Sequence, residues 1–311
     1  MIWNQRKIKI AYWLLGLKEK EDEKNSKEIL SKLREQGLEK VFLEIEVPLI
    51  DVLDKMERIG VGVNQELIQK LINEYRFKSE KLKNEIKEMA GEDFNLNSPQ
   101  QLSRILFENL KINDGKSRKT KSGLRSTSFS SLEDLKNKHP IINLIINYRE
   151  LFKLISTYLE PWEKLGDRIR PTFLQTSTST GRLSCQNPNL QNVPPQLRGV
   201  FVPAEGYKLV SFDYSQIELR VLATVAQDLK MIEAFSNDID IHQLTASQVF
   251  NKPLDQITKE QRQLGKTLNF GVVYGMGAAA FAKTSGLSRA EAEMFISEYF
   301  SDFIRVRQWH E

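Results

Sequence analysis

Arg262, Lys266, Phe270 and Tyr274 follow one another at intervals of four residues in RQLGKTLNFGVVY. On an α-helix each such step turns through about 400°, so the side chains form one slowly drifting stripe, cations at its N-terminal end and rings at the other. A triphosphate nucleotide requires that order: cations for the phosphates, a flat apolar side chain for sugar and base. The spacing equally suits a surface helix whose Arg262 and Lys266 are solvated while Phe270 and Tyr274 enter a core. A second candidate lies upstream in KLVSFDYSQIELR. Leu209, Val210 and Phe212 predict a short strand before Asp213, and Ser215 with Glu218 has the spacing of a capping box that opens a helix. A carboxylate at a strand-to-helix junction is well placed for metal ions or phosphates, though an ordinary loop aspartate is the other reading.

Helices must position most of these groups. From Glu46 to Ile59 apolar residues recur at helical spacing until Gly60 stops the pattern, and a second helix runs from after Asn64 to about Ala90. The two are expected to form a long antiparallel arm. Ser98 with Pro99 and Gln101 marks another helix start. The stretch 115 to 128 carries Lys116, Arg118, Lys119, Lys121 and Arg125 with no acid, a loop that could neutralise phosphates or serve as a solvated linker. A helical stretch follows from Ser131 to Leu159, ending near Pro161. Near residue 170 the composition turns to Thr, Ser, Asn, Gln and Pro, which predicts a domain boundary. Helices are expected again at Leu229–Phe235, Ile241–Phe250, Thr258 to about Tyr274, and from the Ser288/Glu291 capping pair to the end.

The bulk properties narrow the class. With 311 residues the chain has room for roughly two domains of about 150 residues each. Hydrophobic residues at 40% and charged residues at 28% exclude a disordered or fibrous chain. A net charge of +4 is too small to identify a polyanionic partner by itself. Cys185 is the only cysteine, which excludes an internal disulfide and a cysteine-cluster metal site, and fits a reducing, cytoplasmic setting. No apolar stretch approaches the roughly 20 residues a membrane span needs. Two apparent motifs fail: Glu260 stands where a P-loop ending in Gly265-Lys266-Thr267 needs glycine, and Ala280 replaces the third glycine of a dinucleotide fingerprint begun by Gly275 and Gly277.

SFDYSQIELR resembles motif A of family A DNA polymerases, and Arg262 to Gly275 resembles their motif B. TGRLSCQNPNLQNVP and DIDIHQLTA resemble further signatures of the same bacterial DNA polymerase I-like family, in the same order. The likeness runs from about residue 40 to the C-terminus. It implies an α+β, mostly helical fold: a helical thumb, a partial palm with a short antiparallel sheet, and helical fingers, a right-hand architecture that is incomplete. The implied divisions are 1–45, a remnant of an exonuclease-like region or linker; 46–165, thumb; 166–218, partial palm with motif A; and 219–311, fingers with motif B. The resemblance makes Asp213, with the Tyr214 carbonyl, a ligand of two catalytic Mg2+ ions. It makes Glu218 a gate against ribonucleotides and gives His242, Arg262 and Lys266 to the β- and γ-phosphates, with Lys266 also a proton donor. Phe270 would stack on the nucleotide and Tyr274 would hold the template-base position. Arg182, Gln191, Asn192 and Gln216 would read the minor groove near the primer terminus, Gln216 close to the nucleotide. The basic loop becomes a thumb tip that grips duplex.

The implied partners are therefore primer-template DNA and deoxynucleoside triphosphates, with no membrane, in the cytoplasm of a bacterium at the nucleoid. Departures from the family pattern qualify the reading. The second carboxylate, on a His-Asp-Glu turn beyond motif B, lies past Glu311, and RQWHE sits on the helix expected from Ser288. The chain is expected to be inactive alone and to need a separate C-terminal polymerase fragment. Residues 1 to 45 lack the paired Asp-x-Glu of a proofreading exonuclease, and Gln263 replaces a second arginine of motif B. The implied function is template-directed DNA synthesis by two-metal phosphoryl transfer; the alternative is a non-catalytic module that binds primed DNA or nucleotide.

Overall fold

Asn64, Ser98, Ser128, Asp228, Asp240, Thr258 and Ser288 each turn the chain into a helix by accepting a backbone N–H from the first turn. Such caps satisfy donors that have no partner within the helix, and each is worth about 1 kcal/mol. Thr258/Gln261 and Ser288/Glu291 form complete capping boxes, the second as its spacing predicts. The computed structural model describes residues 3–17, 26–112 and 123–311, in two compact units, Met1–Leu209 and Val210–Glu311. The architecture is α+β and mostly helical, with small antiparallel sheets. No helix among the described residues is long and apolar enough to cross a membrane.

In the first unit the sheet residues are β1 (Val61–Val63), β2 (Arg168–Ile169), β3 (Thr172–Leu174), β4 (Ser184–Gln186) and β5 (Phe201–Val202). β1 pairs antiparallel with both β2 and β5, with Val61 opposite Ile169 and Gly62 opposite Val202, and β3 pairs with β4. Strands from both sides of residue 170 thus share a sheet, and the compact units divide after Leu209 instead. Gly60 ends the Val47–Ile59 helix at φ 62°, in contact with the Ile169 carbonyl, so a side chain there would be strained and obstructed together.

The expected helical arm has a different partner. Helix Gln65–Ala90 packs against Pro140–Lys153 around Ile86, Leu102, Ile105, Ile141 and Ile145, while Ile50 of the Val47–Ile59 helix joins a core with Ile10, Leu33 and Phe42. β1 separates the two helices that sequence proximity pairs, and burial of their apolar faces sends them to different cores. The stretch expected as one helix from Ser131 to Leu159 is interrupted: Phe129–Glu133 ends before His139 caps a new helix at Pro140. At its far end a π turn, Leu154–Leu159, leaves room for the Pro161 ring, and helical structure continues to Lys164. Trp162 there is fully buried, with its ring against Tyr158 and Phe201.

The second unit is all helix among the described residues: Ile217–Ala226, Leu229–Ser236, Ile241–Val249, Lys259–Val273, Ala278–Ser285, Arg289–Asp302 and Ile304–His310. Leu219, Met231, Ile241, Leu268, Phe281, Tyr299 and Phe303 fill its core. The last helix does not run unbroken from Ser288. Phe303 leaves helical geometry to bury its ring, so the RQWH residues stand on a separate helix.

The strand expected at Leu209–Phe212 does not form, and Phe212 is 92% exposed. A β propensity is realised only when neighbouring strands satisfy the backbone and cover the side chains, and no described strand does so here. The Ser215/Glu218 capping box is absent as well. Gln216, at φ 53°, is the N-cap of Ile217–Ala226 and supplies no side-chain cap, while the Ser215 carbonyl accepts from Arg220 Nε at 3.0 Å.

Candidate functional site

Two helices of the second unit, Ile241–Val249 and Lys259–Val273, cross so closely that Gly265 rests on the His242 carbonyl. A Cβ at Gly265 would overlap that oxygen and approach Ala246 N to 3.1 Å. The glycine that fails as part of a P-loop is therefore a packing residue. The close crossing brings the start of one helix against the middle of the other, where the sequence stripe lies.

Asp240 ties the two together. Its Oδ1 accepts from the backbone N–H groups of His242 and Gln243 at 2.9 and 3.0 Å, and its Oδ2 accepts from Arg262 Nε and Nη2 at 3.0 and 2.6 Å. Burial alone would raise the Asp240 carboxyl, but the Arg262 hydrogen bond and the backbone donors outweigh it and hold the group below the usual carboxylate range. Arg262 is thereby oriented through part of its guanidinium, leaving Nη1 for another acceptor.

His242 is 3% exposed, with its ring 5.7 Å from that of Phe270. Burial lowers its pKa to about 4, with Arg262 and Lys266 adding to the drop and Asp240 opposing it. At neutral pH it is a neutral hydrogen-bonding group and not the cation that phosphate neutralisation would use. Because the folded pKa lies below the unfolded value of 6.5, the unfolded chain binds more protons between the two. Stability should therefore fall as pH drops from 6.5 towards 4, by on the order of 2 kcal/mol from this residue. Urea denaturation at pH 7 and pH 4.5 checks this: His242→Gln should lose less stability between the two than the unmodified chain.

Lys266 is exposed and makes no ion pair among the described residues. Phe270 is half-buried, and Tyr274 is 65% exposed at the C-cap, its phenol donating to Glu218 Oε2 at 2.8 Å. The stripe is thus a surface whose aromatic end lies beside Glu218, and Phe270 and Tyr274 do not both enter the core. Asp213 and Tyr214 lie in irregular, exposed chain before Gln216.

The remaining expected residues belong to the first unit. Arg182, Gln191 and Asn192 are exposed on the loops flanking β4, where Gln191 Nε2 donates to the Leu183 carbonyl at 2.9 Å and the Asn192 carbonyl accepts from Tyr158 Oη at 3.0 Å. The first bond brings Gln191 to the residue after Arg182, and the second anchors Asn192 to the Leu154–Leu159 turn. Arg125 lies 5.2 Å from the Phe107 ring centre, a cation–π contact. Lys116, Arg118, Lys119 and Lys121 fall outside the described residues.

Sequence reasoning missed Asp240, Thr245 and Asn269. Asn269 and Thr245 are fully buried, and Asn269 Nδ2 lies 3.2 Å from His242 Nδ1, 2.9 Å from Thr245 Oγ1 and 3.0 Å from the Gly265 carbonyl. Signals were present: an aspartate two residues before His242 at a helix start, and an amide beside Leu268 on an otherwise apolar helix face.

Residues 65–311 match the sequence profile of DNA polymerase family A. DNA polymerase I of Caldicellulosiruptor bescii is 43% identical over 279 residues, 86% of this chain and 32% of that protein. DNA polymerase I of Treponema pallidum is 41% identical over 281 residues, 88% of this chain and 28% of that protein. The chain thus spans about a third of the length of the curated relatives it matches. Among solved structures, the POL domain of Pol1 from M. smegmatis, in complex with DNA primer-template and dNTP, superposes with a TM-score of 0.82 at 31% identity, covering 90% of this chain and 51% of that one. The profile match over residues 65–311, a span that includes the helices building the Asp240–Arg262–His242 surface, places this chain in DNA polymerase family A.

Proposed function

We propose that this chain binds primer-template DNA and a deoxynucleoside triphosphate in template-directed DNA synthesis, with the Lys259–Val273 helix as the nucleotide surface. The carrying observation is that Asp240 orients Arg262 one turn from exposed Lys266, with Phe270 and Tyr274 continuing the row. On this reading Arg262 and Lys266 neutralise the β- and γ-phosphates, and neutral His242 donates to them. Lys266 is also the proton donor to the leaving pyrophosphate. Phe270 stacks on the nucleotide, and Tyr274 occupies the template-base position with its phenol on Glu218. Glu218 in turn crowds the sugar 2′ position. Gln216, Arg182, Gln191 and Asn192 contact the minor groove and backbone near the primer terminus. Lys116, Arg118, Lys119, Lys121 and Arg125 grip the duplex at the tip of a thumb formed by 46–165, before a palm portion at 166–218 and fingers at 219–311; residues 1–45 are a remnant of an exonuclease-like region or a linker.

Family A polymerases use divalent metal ions, which supply Lewis-acid stabilisation at the transferred phosphate. Asp213 and the Tyr214 carbonyl are the donors this chain would bring to magnesium. They do not complete a site. Asp213 is exposed, and the described residues contain no group of three or more His, Cys, Asp or Glu that could hold a metal ion. On this reading the other carboxylates come from a separate C-terminal polymerase fragment.

The test measures two things on the same preparation: anisotropy of a labelled primer-template, and extension of the primer with magnesium and all deoxynucleotides. The chain should bind the duplex without extending it, and extension should appear when a fragment bearing the His-Asp-Glu turn is added. Asp213→Ala should abolish that extension and leave duplex binding nearly intact. Robust extension by the chain alone, or loss of binding together with extension, overturns the reading.

A further inference from the structure

The imidazole of His242 has two nitrogens, and only one carries a proton when the ring is neutral. Its Nδ1 faces Asn269 Nδ2 at 3.2 Å, while its Nε2 makes no hydrogen bond among the described residues. Which way the Asn269 amide points therefore decides which tautomer His242 adopts. That direction is set by Gly265, whose carbonyl lies 3.0 Å from the same amide nitrogen. A carbonyl oxygen can only accept, so a reversed amide would set two acceptors against each other in a fully buried place.

Thr245 closes the arrangement. Its hydroxyl has two acceptors in reach, the Ile241 carbonyl at 2.8 Å and, longer, Asn269 Oδ1 at 3.3 Å, and its oxygen accepts from Asn269 Nδ2 at 2.9 Å. Both amide protons are committed: one to Thr245, the other shared between the Gly265 carbonyl and His242 Nδ1. The amide nitrogen offers the imidazole a donor and no lone pair.

We propose that Asn269 is a positioning residue that locks His242 as the Nε2–H tautomer, so that the ring presents a neutral N–H donor to a phosphate oxygen of the bound nucleotide. The phosphate part rests on the proposed nucleotide site; the tautomer assignment stands on the hydrogen bonds alone. A neutral donor suits this place, because a third cation beside Arg262 and Lys266 would be disfavoured by burial and by both neighbours.

The experiment is long-range 1H–15N correlation NMR of the full chain with 15N-labelled histidine. The chain has only 3 histidines, and His242→Gln identifies the signals of interest by their loss. At pH 7 His242 should show the neutral Nε2–H pattern. An Nδ1–H pattern or an imidazolium overturns the proposal without any variant. Asn269→Leu, of similar volume, should let the Nδ1–H form appear; a folded Asn269→Leu protein with an unchanged pattern overturns the role of Asn269. Thr245→Val should keep the Nε2–H form, since the Gly265 carbonyl still orients the amide, and a change to Nδ1–H there overturns that account. Titration with dATP should then shift the Nε2 resonance of the unmodified chain. If the pattern is Nε2–H but dATP binds without moving it, the phosphate role falls; if dATP does not bind at all, the nucleotide site itself falls and the tautomer assignment remains.

Discussion

Gly265→Ala should destabilise the second unit by about 3 kcal/mol or more, although the same exchange inside an isolated helix would stabilise it by about 1 kcal/mol. The sign reversal comes from the neighbouring helix. A methyl group at Gly265 would overlap the His242 carbonyl oxygen and press on the Ala246 N and Cβ at 3.1 and 3.2 Å. Backbone on one helix cannot rotate away as the tip of a flexible side chain can, so the crossing itself must open. Opening it would pull Asn269 from Thr245 and His242, leaving buried polar atoms without partners. Nucleotide binding should fall along with stability, because Asp240 and Arg262 sit on the two separated helices. Urea denaturation followed by far-UV circular dichroism measures the first effect and dATP titration the second. A stabilised Gly265→Ala protein would show that these helices do not touch at this point.

That crossing also shows what could be read from residues in order. The helix that carries Arg262, Lys266, Phe270 and Tyr274 is legible from its period, and its ends from Thr258 and the residues after Val273, because caps and periodicity are local properties. The same holds for the helix starts at Asn64, Ser98 and Ser288 and for the stop at Gly60. The ion pair of Asp240 with Arg262 was not legible. It joins residues on different helices, whose distance is set by how closely they cross at Gly265. Asn269 likewise reads as a poor helix former until its neighbours are known. The failed expectation at Leu209–Phe212 has the same origin in reverse: the residues have strand propensity, but a strand is a property of a sheet. Glu218 illustrates the reach of a distant partner, since its carboxylate accepts from Tyr274 at the end of another helix. The family resemblance was legible because it rests on side-chain identities at fixed spacing, which tertiary structure does not alter.

Arg262→Ala should weaken dATP binding roughly 10- to 100-fold, the loss expected for charge-assisted hydrogen bonds worth about 1.5–3 kcal/mol, and leave stability nearly unchanged. Stability is protected because Asp240 keeps its two backbone donors, His242 N and Gln243 N, after the guanidinium is gone. Arg262→Lys should recover little of the binding. The three donors of an ammonium share one nitrogen and cannot reproduce the fork by which Nε and Nη2 hold Asp240 while Nη1 points elsewhere. Asp240→Asn separates orientation from charge: it keeps an oxygen for the helix cap while weakening the hold on Arg262. Its effect on dATP binding should be smaller than that of Arg262→Ala and should nearly vanish in the Arg262→Ala background. Independent effects in the double variant would show that Asp240 does not act through Arg262. The same series with deoxyadenosine, which lacks phosphates, should show little change in any variant. Equal losses for dATP and deoxyadenosine would place Arg262 near the base or sugar and reverse the direction in which the nucleotide lies along the helix.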